Sequence, residues 1–460
     1  MMPNVPEYAI AVFGVLAAGG IVSTFNPIYT AYETQKLLEL SEAEVIITIG
    51  DIVPVVKKAL EQTTREIPII SMDYCQSLPE GTISFKELAE DVHIELSDVG
   101  KINRKPEDVA FLPYSSGTTG MPKGVQLTNR NMVANCVQQD TEMRLYEYTT
   151  GSHQDGTIVI LPLYHIYALT LCLLHKLSVG IKGVTLPRFK PDTFIQTLAD
   201  YRTDFLYAAP PLVLFLGSHP GVTSKHLESL RSVISGAAPL PSADIERLLS
   251  KSERELNFSQ VYGMTETSPL ASMTALGSKH YNSVGHLVPN MEMRIVDSGL
   301  KSLGPGEVGE VLFKGPNVMK GYLKNPNANS EVFVDDEWLR TGDLGMVDES
   351  GRLTIADRLK ELIKVKGFQV PPAELEAVIK EHPAVLDVAV IGVPDRATGE
   401  KPKAFVVLKE NVEATDDDIM TFVSEKVAPF KKLAAVEFLP NIPKNPSGKI
   451  LKKILREKYS

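Results

Sequence analysis

Stretches with helical periodicity alternate along most of this chain with short apolar runs, and that alternation limits the possible folds more than any other feature. Glu33 to Ser41 carries a helical pattern. Val45-Ile-Ile-Thr-Ile reads as a strand, and Thr157-Ile-Val-Ile-Leu as another buried strand ahead of a helix from about Ala168. Strands apolar on both faces need helices above and below them, so α/β organisation with largely parallel sheets is expected. After about Ser283 the style changes to short strands separated by glycine-rich turns, as in Met293-Arg-Ile-Val and Gly309-Glu-Val-Leu-Phe-Lys-Gly. From Pro371 onward a helix (Ala373 to Glu381), strands at Val385 to Val393 and Ala404 to Leu408, and a helix from Asp416 to Val427 outline a small α+β domain. The predicted fold class is therefore α/β. A large N-terminal domain of two α/β subdomains, with a β-rich part over about 283–356, precedes a small C-terminal domain. The boundary falls near Asp357-Arg358, giving domains 1–356 and 357–460.

With 460 residues, 43% of them hydrophobic, the chain can bury large cores in more than one domain. Its formal net charge of −10 argues against nucleic acid as a partner, which requires a basic face. Cys75, Cys136 and Cys172 lie far apart with no C-x-x-C pair, so a reducing compartment and no structural metal are expected. The apolar run from Ala9 to Val22 is too short to span a bilayer. Glu7 sits just ahead of it and no Lys or Arg precedes it, which argues against a secretory leader. A core helix leading into a strand is the expectation, with no transmembrane segment and the cytoplasm as default location. Oligomeric state is not legible.

The chemistry begins at Ser115-Ser-Gly-Thr-Thr-Gly-Met-Pro-Lys-Gly124. Gly117 and Gly120 let backbone N–H groups approach an anion, Ser115, Ser116, Thr118 and Thr119 add hydroxyl donors, and Lys123 adds charge, a set suited to a triphosphate. Two residues separate the glycines and no Ser or Thr follows the lysine, so the segment is not a P-loop. It resembles the signature of the adenylate-forming superfamily, which includes acyl-CoA synthetases, 4-coumarate–CoA ligases and beetle luciferases.

Six further segments match that superfamily in order. Leu161-Pro-Leu-Tyr-His165-Ile-Tyr167 places His165, by resemblance, facing an acyl tunnel, with Tyr167 at the position that lines a phenolic ring in hydroxycinnamate-activating relatives. Ser235-Gly236-Ala237-Ala238-Pro-Leu240 supplies small residues against which adenine or an aromatic acid can lie. In Tyr262-Gly263-Met-Thr265-Glu266 the resemblance implies that the tyrosine stacks adenine, the threonine bonds a phosphate and the glutamate orients Mg²⁺, which prefers oxygen ligands and phosphate bridging. Trp338-Leu-Arg-Thr-Gly-Asp343 offers a carboxylate after a tight turn for the ribose hydroxyls, assisted by Arg358. Lys360-Glu-Leu-Ile-Lys364-Val-Lys366-Gly367-Phe-Gln369 puts Lys364 and Lys366 on one face if the strand persists. By resemblance Lys364 and Gln369 serve thioester formation, and Lys366-Gly367 lies near CoA. Finally Pro443-Lys-Asn-Pro-Ser-Gly448-Lys449 is a loop whose Lys449 resembles the adenylation lysine.

The resemblance implies an ATP- and Mg²⁺-dependent carboxylic acid–CoA ligase, 4-coumarate–CoA ligase-like, with CoA as cosubstrate and a mobile C-terminal domain hinged at Asp357. A luciferase-like monooxygenase and a catalytically impaired homologue are the alternatives. The acid is open between aromatic and fatty, because Val261, standing where many relatives have glycine, narrows the acyl pocket while Tyr167 favours a phenolic ring. By the family pattern and the usual size of an α/β subdomain, relatives carry about 60–90 residues ahead of the Pro3 segment, so the chain is expected to begin inside its first subdomain with sheet edges exposed. The terminal Lys458-Tyr459-Ser460 differs from the Ser-Lys-Leu peroxisomal address of some relatives.

Overall fold

The computed structural model describes the chain apart from positions 73, 75, 76, 96, 116–121, 141–145, 239, 336, 359, 360, 366, 367, 396, 397, 428, 446, 447 and 460. It also leaves out the side chains of 357, 358, 368, 369 and 459.

At its centre is a seven-stranded sheet. Lys182–Thr185, Gly156–Val159, Phe205–Ala208, Ser232–Ser235 and Asn257–Gly263 run parallel, and Leu270–Met273 and His286–Leu287 complete the edge antiparallel. Burial on both faces is visible within single strands. Phe205 and Tyr207 enter one apolar core and Leu206 and Ala208 enter another on the opposite side, as alternating side chains must. Pro191–Asp200, Pro210–Ser218 and Ser242–Lys251 cover the second face. A helical run from Ile166 to Ser178 covers the first.

That run begins two residues before the expected Ala168, and its middle, Leu169–Leu174, is π-helical. The segment Glu7–Ala17 is helical and leads into the strand Val22–Ser23, as expected, but it is not a core helix. Tyr8, Ala11 and Val12 are buried while Ile10 and Phe13 face solvent.

Of the two sheets ahead of residue 130, one keeps the expected parallel pairing and the other departs from it. One is a parallel trio, Ile46–Ile49, Ile69–Met72 and Ile83–Ser84. In the other, Val109–Leu112 and Gly321–Tyr322 both pair antiparallel with Lys123–Thr128. The last pairing is the consequential one. It carries a strand from the β-rich region, almost two hundred residues later, to the base of the glycine-rich loop.

Glu292–Val296, Gly309–Lys314, Phe333–Val334, Trp338–Val347 and Leu353–Arg358 form a separate antiparallel sheet. From residue 363 onward, five strands and the helices Pro372–Lys380, Asp416–Ser424 and Lys452–Tyr459 enclose their own apolar cores. No helix among the described residues is long and apolar enough to cross a membrane.

Candidate active site

Where these sheets meet, a cleft of about 1040 Å³ opens. One wall is the hairpin in which Tyr114 and Ser115 pair with Gly124 and Lys123, so the glycine-rich segment joins two antiparallel strands. Its residues Ser116, Gly117, Thr118, Thr119 and Gly120 lie outside the described residues. Ser115 and Lys123 line the cleft, and the Lys123 ammonium sits 4.7 Å from the centre of the Tyr322 ring, within cation–π range.

The second wall comes from the sharp return after Asn257–Gly263. Gly263 is required there, because a Cβ would stand 1.8 Å from the Pro269 carbonyl oxygen. This close approach turns Tyr262, Thr265 and Glu266 toward the cleft. Glu266 is 4% exposed; its Oε1 accepts a 2.9 Å hydrogen bond from the Tyr322 hydroxyl. Burial and this carboxylate push the Tyr322 pKa up, so the phenol stays a donor. The Tyr262 hydroxyl donates to Asp343 Oδ2 at 2.6 Å. Asp343 does not follow a tight turn, as its sequence suggested. It lies within the strand Trp338–Val347, where Gly342 takes φ +69° and the pairing with Gly309–Lys314 shifts register, so the residue is held in a bulge rather than after a turn. The backbone of Asp343 pairs with that of Arg358, whose side chain lies outside the described set.

The acyl side is built from the helical run and the two central strands. His165 caps the run, its Nδ1 accepting from the Tyr167 N–H at 3.3 Å. Burial lowers its pKa to about 4, helped by the nearby Lys449 charge. The ring is therefore neutral at neutral pH. Tyr167 is buried and donates its hydroxyl to the Ile234 carbonyl at 3.0 Å, leaving the ring as cleft lining. Gly236 must lack a side chain, since a Cβ would come within 2.9 Å of the Val261 carbonyl oxygen. Ala237 holds φ +77° and, with Val261, lines the cleft. A non-glycine residue in that conformation is strained, and such strain collects at functional sites. Gly236 and Ala238 follow and flank the same strand end without lining the cleft.

From the C-terminal part, one lysine enters. Lys449 lines the cleft on a loop in which its N–H donates to Asn445 Oδ1 at 2.8 Å and its carbonyl accepts from the Asn445 N–H at 2.9 Å. Gly448 packs so closely on Pro211 that a Cβ would stand 2.8 Å from its ring. Lys364 is elsewhere. It is exposed on the strand Ile363–Val365, its N–H donating to Glu400 Oε2 at 2.7 Å. That strand is described only to Val365; Lys366, Gly367 and the Gln369 side chain lie outside the described residues. The structure thus gathers His165, Tyr167, Thr265, Glu266 and Lys449 in one cleft and leaves Lys364 out of it.

Two participants escaped sequence reasoning. Tyr322 sits on a two-residue strand whose position depends on pairing with Lys123–Thr128. Arg340, also in the lining, makes a bidentate pair with Glu310, Nη2 donating to Oε2 at 2.6 Å and Nε to Oε1 at 3.2 Å. Neither carries a local signal, although Arg340 lies inside the Trp338 to Asp343 segment.

Comparison with known proteins decides the family. A model described as AMP-binding enzyme matches residues 1–323, and one for the AMP-binding enzyme C-terminal domain matches residues 374–449. The chain belongs to the AMP-binding enzymes. These form part of the adenylate-forming superfamily that the motifs resemble. Over its whole length this AMP-binding enzyme is 38% identical to 4-coumarate–CoA ligase 3 of Oryza sativa subsp. japonica, covering 82% of that relative. It is 39% identical to 4-coumarate–CoA ligase 1 of Solanum tuberosum, covering 84%. Among solved structures, ATP-bound MatB from Rhodopseudomonas palustris superposes with a TM-score of 0.87 at 28% identity, with all of this chain and 87% of that one covered. A benzoate CoA ligase from Burkholderia xenovorans LB400 gives 0.86 at 26% identity, with 99% and 88% covered.

Proposed function

We propose that this AMP-binding enzyme is an ATP-dependent carboxylic acid–CoA ligase of the 4-coumarate–CoA ligase type, working in two half-reactions. A carboxylate oxygen attacks the α-phosphorus of ATP, the bond to pyrophosphate breaks, and acyl-AMP forms. The CoA sulfur then attacks the acyl carbon, the bond to AMP breaks, and the proton of the thiol leaves to solvent. The observation that carries the reading is Lys449, brought from the C-terminal part into a cleft that also holds Thr265, Glu266 and His165. Carboxylate attack on a phosphate brings two anions together, and an ammonium aimed at that point lowers the barrier electrostatically.

In this account Ser115, Lys123, Thr265 and the glycine-rich loop hold phosphates, Tyr262 faces adenine with Ala238 backing that side from the strand end, and Asp343 with Arg358 takes the ribose. His165, Tyr167, Gly236, Ala237 and Val261 shape the acyl site. Glu266 fits Mg²⁺, because one buried carboxylate beside the phosphate side leaves the remaining oxygen ligands to phosphate and water; the ion would neutralise charge on the departing pyrophosphate. Rotation of residues 357–460 about Asp357 would withdraw Lys449 and bring in Lys364, Gln369, Lys366 and Gly367 for the CoA step. Support comes from the exclusion of Lys364 from a cleft that contains Lys449, since one arrangement cannot serve both steps.

Pyrophosphate release by the purified protein with ATP and Mg²⁺, across aromatic and aliphatic acids with and without CoA, tests the reading. Turnover that needs both an acid and CoA is expected; release that ignores CoA with every acid would contradict it.

A further inference from the structure

Beyond the acyl wall lies a second cavity of about 30 Å³, lined in part by Tyr146, His175, Lys176 and Tyr207. Leu171, Val261 and Leu270 line both this cavity and the main cleft, so the two spaces adjoin at these three side chains. Lys176 is 4% exposed. Its ammonium donates to His175 Nδ1 at 3.1 Å, and His175 Nε2 donates in turn to Asp140 Oδ1 at 2.7 Å. The Tyr146 hydroxyl donates to the same oxygen at 2.6 Å. The rings of Phe205, Tyr207 and Tyr146 surround the ammonium at 5.1, 5.3 and 5.7 Å. Burial lowers the His175 pKa to about 4 and that of Lys176 to about 8, so the imidazole is neutral and the lysine still charged at neutral pH.

An ammonium has three N–H donors. Among the described residues His175 accepts one, and the others face aromatic rings and the cavity. A channel meant for a wholly apolar tail would end in leucine or methionine, because burying a cation without full hydrogen bonding is costly. The reading as an acid–CoA ligase supplies the other half of the argument. Leu169–Leu174, the π-helical segment, lies between His165 at the start of the helical run and Lys176 near its end. At the α-helical 1.5 Å per residue the eleven steps between them would span about 16 Å along the axis, an upper bound because the middle of the run is π-helical, and helical side chains lean back toward the N-terminus by several ångströms.

Resting on that reading, we infer that the acid activated here spans roughly 10 Å and carries an oxygen acceptor at the end remote from its reacting carboxylate, which Lys176, backed by His175 and Asp140, selects. The cavity holds one hydroxyl, keto or carboxylate group; it does not hold a further length of chain.

The test is a set of acids of matched length ending in methyl, hydroxyl, keto or carboxylate, assayed for pyrophosphate release with wild-type enzyme and Lys176→Met. Wild type should prefer at least one oxygen-ended acid over its methyl-ended partner by about 10- to 100-fold in kcat/KM, and the arm that wins identifies the oxygen. Lys176→Met should turn the preference toward the methyl-ended acid. Equal use of all four ends, or a preference for methyl, by wild-type enzyme would overturn the inference without recourse to any variant. An unchanged preference in a folded Lys176→Met protein would overturn the role of Lys176. Release of no pyrophosphate from any acid would instead overturn the ligase reading, and the inference with it.

Discussion

The Tyr262 hydroxyl donates a 2.6 Å hydrogen bond to Asp343 Oδ2, tying the end of a central parallel strand to the middle of a strand in the β-rich sheet. Tyr262→Phe keeps the ring and removes the tether. A net hydrogen bond of about 1 kcal/mol predicts a rise of roughly 3- to 10-fold in KM for ATP with kcat nearly unchanged. Asp343→Asn should cost more, because it also weakens the ribose contact. Steady-state kinetics with ATP varied separates the two.

Tyr322 holds Glu266 in the same manner. Tyr322→Phe should lower the adenylation rate by roughly 10-fold, the value of a hydrogen bond to a charged group, and raise the Mg²⁺ concentration for half-maximal rate. Glu266→Gln should raise it further. A Mg²⁺ titration of pyrophosphate release checks both, and an unchanged Mg²⁺ dependence in Glu266→Gln would remove Glu266 from the metal.

Protonation of His175 should appear in stability. Burial, reinforced by Lys176 and opposed by Asp140, sets its pKa at about 4, against 6.5 in the unfolded chain. The unfolded state binds the proton first, so this contribution is complete above pH 6.5 and is lost as pH falls toward 4. It amounts to at most about 3 kcal/mol. Melting temperature should drop over that range, and His175→Gln should show a shallower drop. Lys176 works in the same sense over a higher window: burial places its pKa at about 8, below the ordinary 10.5, so its contribution is already lost by neutral pH, where the buried ammonium costs stability. Lys176→Met should therefore melt no lower than wild type.

Val261 stands where the cleft and the small cavity adjoin. Val261→Ala should widen the acyl side at that junction and raise kcat/KM for bulkier acids relative to small ones by about 10-fold, near the value of one or two methylene groups in an apolar pocket. Competition assays with two acids read this ratio directly.

The motif-bearing segments were legible because phosphate, adenine and acyl contacts use short contiguous stretches whose residue types and order are chemical requirements. A parallel core strand was legible for a related reason: Gly156–Val159 is buried on both faces, and the run from Thr157 reads as unbroken and apolar. Tyr322 was not legible, since its place depends on pairing with Lys123–Thr128, a partner that nothing near Tyr322 announces. Asp343 was misread locally, because a glycine before an acidic residue signals a turn, whereas Gly342 at positive φ is accommodated within the strand. The sequence around Lys176 gave no sign that the apolar helix carrying it would aim an ammonium inward.

The central claim is that Lys449 serves adenylation alone. Lys449→Ala should reduce acyl-AMP formation by about 100-fold or more, the range for removing one preorganised electrostatic group, while converting supplied acyl-AMP and CoA to acyl-CoA at close to the wild-type rate. Equal loss of both half-reactions, or survival of adenylation, would contradict it.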